Sequence, residues 1–86
     1  DRFKTFLPRD SSILELGTGP GTDWEILNEY FNVTGSDYSQ EFLRRLRKNH
    51  PEGTFIELEA SGLKTDRKFD GIYSNNLFQL MILMNY

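Results

Sequence analysis

The sequence predicts an α/β structure, a parallel sheet with flanking helices, and a few observations carry that prediction. Short apolar stretches around Ile13, Val33, Ile56 and Ile72 alternate with segments of helical spacing, and such alternation builds right-handed βαβ units. The first apolar stretch runs straight into Gly17, Gly19 and Gly21, spaced two apart. A helix-capping pattern, Thr22-Asp23-Trp24-Glu25, follows at once.

Taken in order, Phe3, Phe6 and Leu7 recur at helical intervals over residues 1–7, and Pro8 stops that helix before a turn at residues 9–11. Residues 12–16 form the first strand; Ile13, Leu14 and Leu16 make it nearly continuous in apolar character, as in a strand covered on both faces. From Thr22 a helix places Trp24, Leu27 and Phe31 at i, i+3 and i+7, one stripe for the sheet. Residues 31–37 hold the second strand around Val33, although Thr34, Gly35 and Ser36 make a polar interior. The next helix opens at Asp37-Tyr38-Ser39-Gln40 and buries Phe42, Leu43 and Leu46. Arg44, Arg45, Arg47, Lys48 and His50 occupy its other faces and last turn, where cations suit the helix dipole. Pro51-Glu52-Gly53 ends it.

Residues 54–60 form the third strand, with Phe55, Glu57 and Glu59 alternating against Ile56 and Leu58, a pattern expected of a sheet edge with one wet face. Residues 61–68 are a polar connection, too short for more than a turn or two of crossover helix. Residues 69–75 form the fourth strand, and residues 77–86 read as a helix with Leu77, Leu80, Met81 and Met84 on one face. The strand order expected is 3-2-1-4.

Composition narrows the function. A chain of 86 residues suffices for one small domain, burying roughly 60–65% of its unfolded surface. A net charge of −3 argues against phosphate-driven binding as the main task. With no cysteine, disulfides, thiolate metal sites and cysteine nucleophiles are excluded. The apolar run at residues 80–84 is far below the ~20 residues that cross a bilayer, and no signal-peptide pattern opens the chain. The expectation is a soluble, cytoplasmic domain with no membrane partner and, since it begins at Asp1, a trimmed piece of a longer chain.

The glycine stretch points to chemistry. Glycine lets the turn take φ > 0 and lets a ligand lie against the backbone, and free N–H groups at the start of the following helix face that ligand. Strand, glycine turn and helix together indicate a nucleotide-like cofactor at the carboxyl end of a parallel sheet. The dinucleotide fingerprint G-x-G-x-x-G would need glycine at position 22, where Thr22 stands. Glu15 lies inside the apolar strand, where an ionised carboxylate is costly without a partner. Asp37 follows the second strand, 20 residues after Gly17. There a carboxylate can accept hydrogen bonds from ribose hydroxyls, the favoured reading, although Asp37-x-x-Gln40 also makes a fair helix cap.

Glu15-x-Gly17-x-Gly19-x-Gly21, after an apolar strand and followed by Asp37, resembles the first motif of the class I S-adenosylmethionine-dependent methyltransferases. The resemblance covers almost the whole chain but only the first half of that family's Rossmann-like domain, so a sheet truncated relative to the full methyltransferase domain is expected. It implies methyl transfer from S-adenosylmethionine to a small-molecule acceptor. Gly17, Thr18, Gly19 and Gly21 would carry the methionine part of the cofactor, and Glu15 would help hold its ammonium group. Asp37 would bind the ribose and Tyr38 would pack beside the adenine. Glu59-Ala60 aligns with the family's usual Asp-Ala pair at the adenine edge. Glu59 is one methylene longer than the family's aspartate, which puts weight on the Ala60 N–H. Ser74-Asn75-Asn76 lies where the family places residues near the transferred methyl group, and Asn75 would line the pocket. No proline follows, so the N-P-P-[YF] subclass finds no support. Phe69-Asp70 resembles the entry to the fourth strand, a structural role.

Other features are bland. The basic helix face reads as solvated rather than as a nucleic-acid surface, and His50 as a helix-end residue. No metal-ligand cluster and no catalytic base can be named. Two alternatives stay open, a non-catalytic S-adenosylmethionine-binding module and a nicotinamide-binding domain. With the fourth strand at an exposed edge beside an apolar tail, self-association through residues 70–86 is expected.

Overall fold

A computed structural model describes residues 8–59, 62–63, 67–74 and 80–83. Its strands are β1 Ser12–Leu16, β2 Asn32–Asp37, β3 Thr54–Glu59, β4 Gly62–Leu63, β5 Gly71–Ser74 and β6 Leu80–Leu83; its helices are α1 Thr22–Leu27 and α2 Gln40–Asn49. They form one sheet in the order β4-β3-β2-β1-β5-β6. The strands β3, β2, β1 and β5 run parallel, so the expected 3-2-1-4 order stands at the centre of the sheet.

Register sets the two faces. Ile13 pairs with Val33 and Gly71, and Glu15 with Gly35 and Tyr73, while Gly35 pairs with Phe55. Period-2 alternation puts all of these on one face. Ile13, Val33, Phe55 and Tyr73 from that face join Trp24, Leu27, Phe31, Leu43 and Leu46 in a single buried cluster. Both helices therefore cover the same face, as right-handed crossovers between neighbouring parallel strands require. Trp24 anchors the cluster, its Nε1 donating to the Val33 carbonyl at 3.0 Å and its ring lying 5.0 Å from that of Phe55.

Several expectations need correction. Thr22 does not cap α1: Gly21 is the N-cap residue, left-handed at φ 96°, and no side chain caps the helix. The glycine turn hands the chain over one residue earlier than the Thr-x-x-Glu pattern implies, so Thr22 is already helical. The helix is also only six residues long. Phe31 nonetheless reaches the core, because the turn after Leu27 stays compact, with the Tyr30 and Phe31 N–H groups donating to the Leu27 carbonyl. Ser39, not Asp37, caps α2, its hydroxyl accepting from the Phe42 N–H at 3.2 Å.

The sheet margins differ most. The C-terminal part of β3 is not an edge, since Leu58 and Glu59 pair antiparallel with Leu63 and Gly62 of β4. Residues 80–83 are not helical but form β6, antiparallel to β5. A continuous apolar run satisfies strand and helix templates alike, and the unpaired N–H and C=O groups along β5 favour the strand. The exposed edge at the fourth strand, the premise for self-association, is thus covered by the chain itself. The rest of the 77–86 run lies outside the described residues, as does the expected helix at residues 1–7.

Polar β2 is central because its polar groups are satisfied locally. The Ser36 hydroxyl donates to the Glu15 carbonyl at 2.6 Å, and Val33 through Ser36 are all buried. Gly35 is required there: a Cβ would lie 2.7 Å from Thr18 Oγ1 and 2.8 Å from Phe55 Cδ1. Gly35→Ala is expected to destabilise the chain by about 1–3 kcal/mol, measured as a lower urea midpoint with unchanged slope.

Candidate functional site

The site begins where β1 ends. Gly17, Gly19 and Gly21 all have positive φ, at 69°, 58° and 96°, conformations that side-chain-bearing residues rarely adopt. Thr18 ties this loop to β2 in both directions. Its N–H donates to the Ser36 carbonyl at 2.8 Å, and its Oγ1 accepts the Ser36 N–H at 2.8 Å. Asp37 adds a second tie, with Oδ2 accepting from the Gly19 N–H at 2.8 Å and Oδ1 from the Ser39 N–H at 2.9 Å. A Cβ on Gly19 would meet nothing closer than the Gly17 carbonyl at 4.0 Å, so the loop backbone faces open space.

That space is a cleft of about 360 Å³ lined by Glu15, Gly17, Thr18, Gly19, Pro20, Thr22 and Asp23. Glu15 is only 2% exposed, and its Oε1 is a buried side-chain atom with no hydrogen-bond partner among the described residues. Burial pushes its carboxyl up to about 7; a hydrogen bond with the Thr18 side chain opposes this, and the Asp23 and Asp37 carboxylates add to it. On the neighbouring strand, Tyr73 donates its hydroxyl to Asp23 Oδ2 at 3.0 Å. Burial, that hydrogen bond and the charges of Asp23 and Glu15 push the Tyr73 phenol up to about 12, so it stays a donor.

The sequence-predicted residues divide accordingly. Glu15, Gly17, Thr18 and Gly19 come together in the cleft. Gly21 is buried beneath it, where a Cβ would strike Leu46 Cδ2 at 2.8 Å, so it serves the packing of α2. Asp37 borders the loop, with both carboxylate oxygens engaged by backbone. An ionised carboxylate offers about four acceptor sites, so capacity for further donors remains. Tyr38 is 63% exposed beside it. Glu59 sits at the end of β3, paired with Gly62. Ala60 and Asn75 lie outside the described residues. Asp23 and Tyr73 escaped sequence reasoning, because Asp23 looked like part of a capping box and Tyr73 like a strand aromatic. Their 50-residue separation hid the pairing.

The basic face of α2 is partly neutralised. Arg44 and Arg45 both reach Glu41, at 2.6 and 3.0 Å, and Arg47 donates to the Phe55 carbonyl at 2.8 Å. His50 caps the helix C-terminus with its ring 4.8 Å from that of Trp24, as a helix-end residue should.

A parallel sheet with a glycine loop and a buried acid at its carboxyl end defines a Rossmann-like domain. Comparison with known proteins narrows this: the chain belongs to the methyltransferase domain family, whose pattern matches residues 13–84. It is 31% identical over 70 residues to trans-aconitate 2-methyltransferase of Afipia carboxidovorans, covering 78% of this chain and 27% of that protein. It is 28% identical over 75 residues to dTDP-3-amino-3,4,6-trideoxy-alpha-D-glucopyranose N,N-dimethyltransferase of Streptomyces venezuelae, covering 86% and 32%. Among solved structures it superposes on Streptomyces venezuelae DesVI with a TM-score of 0.70 at 28% identity, covering 83% of this chain and 30% of that one. It superposes on the PH0226 protein of Pyrococcus horikoshii with a TM-score of 0.66 at 26% identity, covering 83% and 36%. The chain spans about a third of the length of these relatives.

The residues present fit S-adenosylmethionine. A buried acceptor without a partner suits its ammonium group, and an open, positive-φ backbone suits close approach of its methionine portion.

Glu15 also sets a pH dependence. Its folded-state value, about 7, lies above the ordinary 4.5, so the folded chain holds a proton that the unfolded chain has lost. That contribution is complete below 4.5 and disappears as the pH rises through about 7. Glu15→Gln should therefore stabilise the ligand-free chain above that window, by on the order of 3 kcal/mol. The advantage should shrink towards its acid end in thermal melts.

Proposed function

We propose that this domain binds S-adenosylmethionine and serves methyl transfer from it to a small-molecule acceptor. The observation that carries this is the unpartnered, buried Glu15 Oε1 beneath the open glycine loop. A buried carboxylate with an unmet acceptor is costly to ionise unless a cation meets it, and the ammonium group of the donor is such a cation. Membership of the methyltransferase domain family supports the reaction class. The relatives' names support the acceptor class, one naming trans-aconitate and the other an amino sugar nucleotide, both small molecules.

When bound, S-adenosylmethionine supplies a methyl group activated by its attachment to a sulfonium sulfur. The chain's own part is binding and orientation. Glu15 accepts from the ammonium group. Asp37, already fixed by the Gly19 and Ser39 N–H groups, offers its remaining acceptor capacity to the ribose hydroxyls, with Tyr38 beside the adenine. Such fixed placement supplies much of the catalysis for an in-line displacement.

Calorimetric titration with S-adenosylmethionine, S-adenosylhomocysteine and NAD tests this. Both sulfur compounds should bind, and Asp37→Ala should weaken them by roughly tenfold, about 1.4 kcal/mol. Tighter binding of NAD would overturn the assignment in favour of a nicotinamide-binding domain. A chain that binds the donor but transfers its labelled methyl group to no acceptor is a binding module.

A further inference from the structure

Glu15 is not the only acid in the cleft. Asp23, in the first turn of α1, lines the same space, and its charge adds to the burial that raises Glu15. The two acids come from different elements, β1 and α1, and line one cleft. Tyr73 makes that arrangement deliberate. It is the lateral neighbour of Glu15 across β1 and β5, it is 4% exposed, and its hydroxyl reaches over to Asp23 Oδ2 at 3.0 Å. A phenol that donates to a carboxylate fixes its rotamer.

Among the described residues lining the cleft, none is basic. Glu15 Oε1, buried and without a partner, marks the cleft as a place where a cation is received. One cation would answer one carboxylate. Two carboxylates around one cleft favour a ligand with two positive centres over an otherwise identical ligand with one, by Coulomb attraction in a partly desolvated space.

Resting on the methyl-donor assignment above, we propose that Asp23, positioned by Tyr73, is a specificity-determining residue that makes the cleft prefer the sulfonium donor to the thioether left after transfer. The donor has an ammonium and a sulfonium; when the methyl group departs, its bonding electron pair stays on sulfur and one positive centre is lost. Glu15 meets the charge common to both ligands. Asp23 senses the charge that the reaction removes, and so helps release the spent cofactor in exchange for a fresh one.

The test is calorimetric titration of the chain, its Asp23→Asn and Tyr73→Phe variants, with S-adenosylmethionine and S-adenosylhomocysteine separately. In Asp23→Asn the donor should weaken by roughly tenfold and the thioether by less than about threefold, shifting the ratio of the two affinities by roughly threefold or more. Tyr73→Phe should shift that ratio in the same direction by less, since the carboxylate remains but is no longer held. In the unsubstituted chain, added salt should weaken the donor more than the thioether. This last measurement needs no variant to fold. Equal weakening of both ligands, an unchanged ratio, or equal salt dependence overturns the inference while leaving the methyl-donor assignment intact. Failure of the unsubstituted chain to bind either ligand overturns both.

Discussion

The structure depends on the clasp between the glycine loop and β2. Three hydrogen bonds make it, from the Thr18 N–H to Ser36, from the Ser36 N–H to Thr18 Oγ1 and from the Gly19 N–H to Asp37. Each joins a backbone group of one segment to the other, so the loop after β1 is held as firmly as a further pair of sheet residues would be. Gly35 is the steric condition for the clasp, since any side chain there would occupy the volume of Thr18 Oγ1. Deleting the Thr18 hydroxyl would strand a buried N–H, the expensive way to lose a hydrogen bond. The loop's positive φ angles fall on glycines, which adopt them without steric cost, and these ties fix the one conformation the loop takes.

Against that rigid frame, Glu15 is a deliberate weakness. Its backbone belongs to a central strand of the sheet, with the carbonyl accepting from Ser36, while its carboxyl carries an acceptor that no described residue answers. Thr18 shares in both roles, clasping β2 through Oγ1 and lowering the acidity-weakening effect of burial on Glu15. A site that gave Glu15 a full set of internal partners would be more stable and would have nothing to offer a cation. This is the usual exchange of stability for binding at functional positions.

The centre of this fold was legible in the sequence, and its margins were not. Ile13, Leu14 and Leu16 declare β1, the glycine spacing declares the turn, and Leu43 with Leu46 declare the buried side of α2, because each is a local pattern with a local cause. The candidate acids Glu15 and Asp37 stand out by the same kind of local pattern, one inside an apolar strand and the other just after one. By contrast, β4 is two residues long and has no periodicity to read. The run at 80–83 became a strand because β5 offered an edge, which is tertiary information. Thr22 was misread because the capping pattern ignores the glycine before it, whose left-handed conformation already ends the turn. Asp37 was also read as a helix cap, yet Ser39 caps that helix, and the Asp37 carboxylate accepts from the Gly19 and Ser39 N–H groups, the first of them 18 residues away.

The Asp23–Tyr73 bond joins these two scales. Local reasoning assigns Asp23 to the start of a helix and Tyr73 to a strand, and each assignment is correct as far as it goes. The sheet order puts β5 beside β1, and the register puts Tyr73 beside Glu15. The left-handed Gly21 then starts α1 where its first turn overhangs both strands, within reach of the phenol. The carboxylate of Asp23 is therefore brought to the cleft by the glycine loop, through Gly21, and held there by β5, through the phenol. Because that hold comes from a strand outside the loop, the orientation of the acid can be changed at Tyr73 without altering the loop backbone.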